Sequence, residues 1–252
     1  MKIISLNAWC GRAGSVLHEF FENNQDVDIF CLQEVDLDGT KFGPDVTNNN
    51  AEPGDPHLFS SLEKILSNHH GYFSPTLDRW WGNALFIKKV LYRNVSSYGE
   101  LVISDEQQKY VPYESWFRRT IQWVDFSKNN KNYTVINIHG LWEKGRGKGD
   151  SPDRIEQSKN IINFLETKKD RNIILMGDFN LNPETQSMNL LEEFGLKNCI
   201  KEFNITSTRT SLYTKESRFA DYALISPEII IKDFKVLPEE VSDHSALYLE
   251  IE

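Results

Sequence analysis

Apolar residues in this chain follow two rhythms. Short runs bounded by polar residues read as buried strands, and stretches with apolar positions every three to four residues read as amphipathic helices. Residues 3–6 form the first such strand and deliver Asn7 at its end; Val16, Leu17, Phe20 and Phe21 then place one apolar face on a helix. Residues 28–32 are a second buried-type strand, which delivers Gln33 and Glu34. Residues 38–57, rich in Gly, Asn, Asp and Pro, predict a long surface excursion. Leu58, Leu62, Ile65 and Leu66 put a helix over residues 58–68.

From residue 72 to 138 the pattern shortens to strands, at 84–87, 90–102, 120–126 and 133–138. Residues 140–152 carry four glycines with Lys144, Arg146 and Lys148 and predict a mobile loop. Pro152 and Asp153 open a helix whose Ile155, Ile161, Ile162 and Leu165 face a core. A strand ending at Gly177 follows, then a helix near 184–194 and strands at 222–225 and 246–250 that bracket 229–237. Strands come in runs with helices inserted between them, which favours two packed sheets flanked by helices over a doubly wound parallel sheet. No repeat, low-complexity tract or linker divides the chain, so residues 1–252 are expected to form a single domain.

Composition narrows the class. At 252 residues and 39% hydrophobic content there is enough apolar material for one large core. A net charge of −9 disfavours a protein that coats nucleic acid non-specifically and suits an acidic, cation-binding cleft. Cys10, Cys31 and Cys199 have neither CxxC spacing nor an even count, so neither a disulfide framework nor a zinc site is suggested. The apolar run at the start is too short for a signal peptide, and no stretch approaches the ~20 apolar residues of a membrane span. A soluble, cytoplasmic protein without membrane insertion or a protein partner is the expectation.

Polar residues recur where apolar runs stop: Asn7, Gln33 with Glu34, His139, Asp178 with Asn180, Asp221, and Asp243 with His244. Asp178 and Asn180, two positions apart, point to one side of a strand end. Alone, Gly-Asp-x-Asn is equally an Asx turn; six endings of this kind point to one site. Oxygen donors with few nitrogens favour Mg²⁺ or Mn²⁺ over Zn²⁺. An Asp–His pair adds an imidazole whose tautomer is fixed and whose cation is favoured beside a phosphate.

Residues 32–35 (Leu-Gln-Glu-Val), 137–140 (Asn-Ile-His-Gly), 177–180 (Gly-Asp-Phe-Asn), 220–222 (Ala-Asp-Tyr) and 242–245 (Ser-Asp-His-Ser) resemble the ordered motifs of the endonuclease/exonuclease/phosphatase superfamily. This is the group of deoxyribonuclease I, abasic-site endonucleases, inositol polyphosphate 5-phosphatases and neutral sphingomyelinases. The resemblance runs from Asn7 to Ser245 and implies an α/β four-layer sandwich, two packed, mostly antiparallel β-sheets flanked by helices. It implies Glu34 as the main Mg²⁺ ligand, with Asn7 beside it, Gln33 a less secure neighbour and Asp243 next to the metal. Asp178 would orient or deprotonate the attacking water, Asn180 would hold the scissile phosphate, and His244, fixed by Asp221, would contact it. His139 would serve the leaving group or the phosphate, and Arg119, with Arg118 competing, would bind phosphate. The glutamate that orients His139's counterpart in the deoxyribonuclease branch has no match in residues 79–83 (Arg-Trp-Trp-Gly-Asn).

Trp80, Trp81, Trp116, Phe117 and Trp142 cluster near the expected cleft and could stack on a base, sugar or head group, or simply fill the core. Trp142 opens the Gly-rich loop, whose cations either close over a phosphate or lie in solvent. Scattered Lys/Arg pairs make long duplex DNA the less comfortable substrate. The expected activity is Mg²⁺-dependent hydrolysis of a phosphodiester, short or single-stranded nucleic acid first, with phosphorylated small molecules or lipid head groups as the alternative. A catalytically lapsed binding module is the reading from another class.

Overall fold

The computed structural model describes residues 1–37, 54–77, 80–104, 118–143 and 145–252. Its strands are β1 (Lys2–Asn7), β2 (Ile29–Asp36), β3 (His69–Leu77), β4 (Trp81–Lys88), β5 (Val95–Ser104), β6 (Arg119–Lys128), β7 (Lys131–His139), β8 (Asn172–Asp178), β9 (Lys197–Asn198), β10 (Asp221–Ile225), β11 (Ile231–Val236) and β12 (Leu247–Ile251). They form two six-stranded sheets, ordered β11-β12-β1-β2-β4-β3 and β5-β6-β7-β8-β10-β9. Each is antiparallel except for one central parallel pair, β1 with β2 and β7 with β8. The helices are α1 (Ser15–Asn23), α2 (Leu58–Ile65), α3 (Lys89–Tyr92), α4 (Pro152–Glu166), α5 (Gln186–Glu193) and α6 (Cys199–Glu202).

Alternation along the strands decides the layers. In β1 and β2, Ile3, Ile29 and Cys31 join the large core shared with the second sheet, while Ile4, Leu6, Phe30 and Leu32 join a separate core with Leu17, Phe21, Leu58 and Leu62 of α1 and α2. Both faces of the first sheet are therefore apolar, as the expected sandwich requires. Polar residues also cross between the sheets: Gln33 Nε2 donates to Asn137 Oδ1 at 2.7 Å, and Asn137 Nδ2 donates to the Leu32 and Ala84 carbonyls at 2.8 and 3.1 Å. These buried bonds fix the register of one sheet on the other.

Several local expectations differ. The predicted strand at 90–102 is broken into α3 and β5, an edge strand with mostly exposed side chains. β3 begins at His69, which is buried with Nε2 2.8 Å from the Val27 carbonyl. Val16 is exposed, because α1 turns Leu17, Phe20 and Phe21 inward. Helix α4 buries Arg154, Gln157, Ser158, Ile161 and Leu165, and leaves Ile155 and Ile162 half-buried. Its inner face is part polar because it packs on the loop before it.

Candidate active site

Strand direction gathers the polar endings. β1 and β2 run parallel and pair Asn7 with Gln33; β7 and β8 run parallel and pair His139 with Asp178. β10 runs antiparallel to β8, so its first residue, Asp221, also pairs with Asp178. His244 sits just before β12 and bridges to Arg209. These ends meet at one edge of the sandwich.

Two backbone devices aim the side chains. A register shift between Leu32 and Val35 interrupts the β2–β4 ladder, and there Glu34 takes φ 52°. Gln33 keeps the alternation of Ile29 and Cys31 and points into the sheet interface, while the irregularity turns Glu34 to the site and returns Val35 to the outer core. Gln33 is thus a cross-sheet bond, not a neighbour of the metal position. Asn180 follows β8 with φ 57°, and its backbone N–H donates to Asp178 Oδ1 at 2.8 Å. Left-handed backbone at a non-glycine residue is costly and clusters at functional sites. Gly177 has φ +146° with the Ile138 carbonyl against it, where an added Cβ would lie 2.0 Å from that oxygen; only glycine lets β8 approach β7 closely enough to present Asp178.

Asn7 Nδ2 donates to Glu34 Oε1 at 3.0 Å and to Asp178 Oδ2 at 3.1 Å, while its Oδ1 accepts from the Trp9 N–H. His139 Nε2 lies 3.8 Å from Glu34 and 3.7 Å from Asp178, and its ring packs against Trp81 at 5.4 Å between centroids. Among the described residues no acid hydrogen-bonds His139 Nδ1. His244 Nδ1 is 2.8 Å from Asp221 Oδ2, which turns Nε2 toward Asp178 at 3.7 Å and Asp243 at 3.9 Å. Of the two candidate arginines, Arg119 is buried and its guanidinium lies 5.9 Å from the Trp81 ring centre, whereas Arg118 is exposed. Trp142 is half-buried. Arg79, Trp116, Phe117 and Lys144 lie outside the described residues.

Charge separates the two histidines. Burial, followed by Arg119, pushes His139 well below the ordinary imidazole range and keeps it neutral. Burial and Arg209 also oppose the cationic form of His244, but Asp221, Asp243 and Asp178 outweigh them and raise it. Burial opposes ionisation of Asp178, yet His244, Lys148, His139 and Arg209 hold it below the usual carboxylate range. Glu34 is raised, first by burial, with Asp243 and Asp178 adding like charge.

A divalent cation fits this donor set. Glu34, His139 and Asp178 bring one ligand atom each within 4.8 Å of one another, and so do Asp178, Asp221 and His244. The like-charge crowding that raises Glu34 is what such a cation relieves, and the carboxylate oxygens are hard donors. Asp243 belongs to neither group and pairs with Arg209 at 3.6 Å.

Two residues at the site give no strand-end signal. Arg209 has a side chain only 6% exposed, and its guanidinium lies 3.9 Å from the Tyr213 ring centre. Lys148 of the Gly-rich loop is buried and donates through Nζ to Asn180 Oδ1. Burial lowers its pKa to about 8.

Trp81 is buried, with its indole N–H 3.3 Å from Cys10 Sγ, so it packs instead of offering a stacking surface. Cys10, Cys31 and Cys199 are free and buried. Among the described residues no helix is long and apolar enough to cross a membrane.

The fold and motifs have relatives. An endonuclease/exonuclease/phosphatase family protein from Bacteroides thetaiotaomicron superposes with a TM-score of 0.75 at 16% identity, covering 100% of this chain and 97% of that one. A mannosyl-6-phosphatase from Bacteroides thetaiotaomicron VPI-5482 gives 0.72 at 17% identity, with 100% and 99% covered. The human Nocturnin catalytic domain with bound sulfate anion gives 0.66 at 16% identity, with 100% and 93% covered. At these identities the likeness is one of fold. Among curated proteins no sequence matches the chain. The model of the Endonuclease/Exonuclease/phosphatase family matches residues 4–244, nearly the full length, so the chain belongs to that family.

Proposed function

We propose that the chain works as one domain and is a Mg²⁺- or Mn²⁺-dependent phosphoesterase in which water attacks phosphorus in line. The carrying observation is that Asp178 accepts from Asn7 and lies 3.7 Å from both His139 and His244, at the junction of the two sheets. Glu34 leads the metal ligands, with Asn7 and Asp243 beside it. The cation supplies Lewis-acid polarisation of the phosphoryl group and charge relief for the leaving oxygen.

The chain's own residues do the rest. Asp178, held ionised by its cationic neighbours, accepts the hydrogen bond of the attacking water and aligns it; its depressed pKa makes orientation a larger part of its role than proton removal. His244, its Nδ1 taken by Asp221, presents Nε2–H to a phosphate oxygen as a cation. Neutral His139 faces the same point and serves the leaving group. Asn180 and Arg119 bind non-bridging oxygens, and Trp142 flanks the substrate.

A phosphodiester of short or single-stranded nucleic acid is the first substrate class. A phosphomonoester on a small molecule or a head group is the second, and one observation favours it. Arg209, its side chain 6% exposed, bridges to His244, and buried Lys148 bonds Asn180, a concentration of positive charge suited to a dianion. Hydrolysis of bis-p-nitrophenyl phosphate against p-nitrophenyl phosphate, with Mg²⁺, Mn²⁺ and EDTA, separates the two. Metal-dependent release from the diester supports the first class, release from the monoester alone supports the second, and release from neither favours a lapsed binding module.

A further inference from the structure

Lys148 is held in place more firmly than a residue of a solvated loop needs to be. Arg154, fully buried at the start of α4, donates to the carbonyls of Leu141, Gly147 and Gly149, and so ties both limbs of the loop to the helix. Asn182 N–H donates to the Lys148 carbonyl at 2.8 Å. Asp150 accepts from the backbone N–H groups of Gln186 and Ser187 at the start of α5, at 2.7 and 2.9 Å. Glu143 completes the anchor, 3.1 Å from Arg154 Nε. Arg146, by contrast, projects from the loop and is exposed.

The cation so fixed meets Asn180, the residue expected to hold the scissile phosphate. Asn180 Oδ1 accepts from Lys148 and Asn180 Nδ2 donates to the Gly140 carbonyl at 3.1 Å. Both ends of the amide are thereby assigned, and one Nδ2 hydrogen is left to point elsewhere. An ammonium has three donors, so after bonding Asn180 it retains two. Asp178, Arg209 and Asp221 all act on Lys148 electrostatically, as they do on His244.

Resting on the phosphoesterase reading above, we propose that Lys148 contacts the substrate phosphate directly and locks the Asn180 carboxamide in its phosphate-binding orientation. Lys148 donates to a non-bridging oxygen alongside Asn180 Nδ2. The anchored loop is therefore a fixed wall of the phosphate pocket, and its exposed Arg146 takes no part in holding the phosphate. Because the contact is made to a charge that is present in ground and transition states alike, its loss weakens phosphate binding as well as turnover.

The test compares the native chain, Lys148→Gln, Lys148→Arg and Asp178→Asn, each with Mg²⁺. Turnover is followed on both p-nitrophenyl esters, and orthophosphate binding is measured directly by calorimetry. Lys148→Gln should lower kcat/KM on whichever ester is hydrolysed by about 100-fold and weaken orthophosphate by about 10-fold or more. Lys148→Arg should retain orthophosphate binding within a few-fold, and melting temperatures should stay close to native. Native kcat/KM and native orthophosphate affinity in Lys148→Gln overturn the proposal. So does a kinetic loss in both Lys148 variants with orthophosphate affinity unchanged, which would make Lys148 only a prop for Asn180. Absence of native turnover overturns the phosphoesterase reading instead, and calorimetry still decides Lys148: orthophosphate binding that is lost in Lys148→Gln supports it, and none to the native chain overturns it.

Discussion

Asn7 on the first sheet hydrogen-bonds Asp178 on the second at 3.1 Å, across a sequence separation of 171 residues. The same amide also reaches Glu34, so one uncharged donor bridges two carboxylates. Asn7→Ala removes that bridge and leaves both carboxylates short of a donor, at a cost of about 1–3 kcal/mol in stability. Turnover should fall by about 100-fold, which thermal unfolding with steady-state kinetics will resolve.

Asp178 and Glu34 fall within one candidate cation site, and the proposed mechanism gives them different tasks. Asp178→Asn should reduce kcat by at least about 1000-fold while Mg²⁺ activation stays near native, and Glu34→Gln should shift the Mg²⁺ concentration for half-activation upward. Titrating Mg²⁺ into EDTA-stripped protein measures both. Equal, small losses would reverse the assigned roles.

The Asp221–His244 pair governs one imidazole. Asp221→Asn withdraws one of the carboxylates that raise His244, so the cation should be lost at lower pH than in the native chain. Activity that depends on the cation should then decline on the alkaline side at a lower pH, with a fall in kcat of about 100-fold or more. A pH–rate profile of the two proteins gives the answer.

Away from the site, Asp125 is a reporter of acid stability. Burial opposes its ionisation, but Lys168 at 2.7 Å, Thr134, Ser97 and Arg171 hold it below the ordinary carboxylate range. Its folded pKa is depressed, so its contribution is present above the unfolded value and is lost as pH falls through that range toward the folded one. The native melting temperature should therefore drop more steeply below about pH 4 than that of Asp125→Asn, which should already be less stable at pH 7. Melting curves from pH 7 to pH 3 compare the two.

Most of the site was legible because strand ends carry it. Glu34, His139, Asp178, Asp221 and His244 each follow or begin an apolar run, and pairing direction alone brings them to one edge. The exceptions have physical causes. Glu34 sits on a bulge, which takes it off the face that alternation from Phe30 and Leu32 would have assigned. Lys148 lies among glycines, whose freedom reads as mobility until the buried Arg154 is seen holding the loop carbonyls. Arg209 falls between α6 and β10, where no periodicity signals a side. The β3 strand, with polar His69, Ser74 and Thr76 turned inward, lacks the apolar run that marks the other strands.

Each sheet's central parallel pair contributes two of the groups in the proposed mechanism: Asn7 and Glu34 come from one, His139 and Asp178 from the other. Neither pair alone holds the proposed set, so the proposed mechanism requires the two sheets to be docked. Turnover thus doubles as a gauge of docking. On gentle denaturation it should vanish together with near-ultraviolet dichroism, ahead of any loss in the far-ultraviolet signal of the strands themselves.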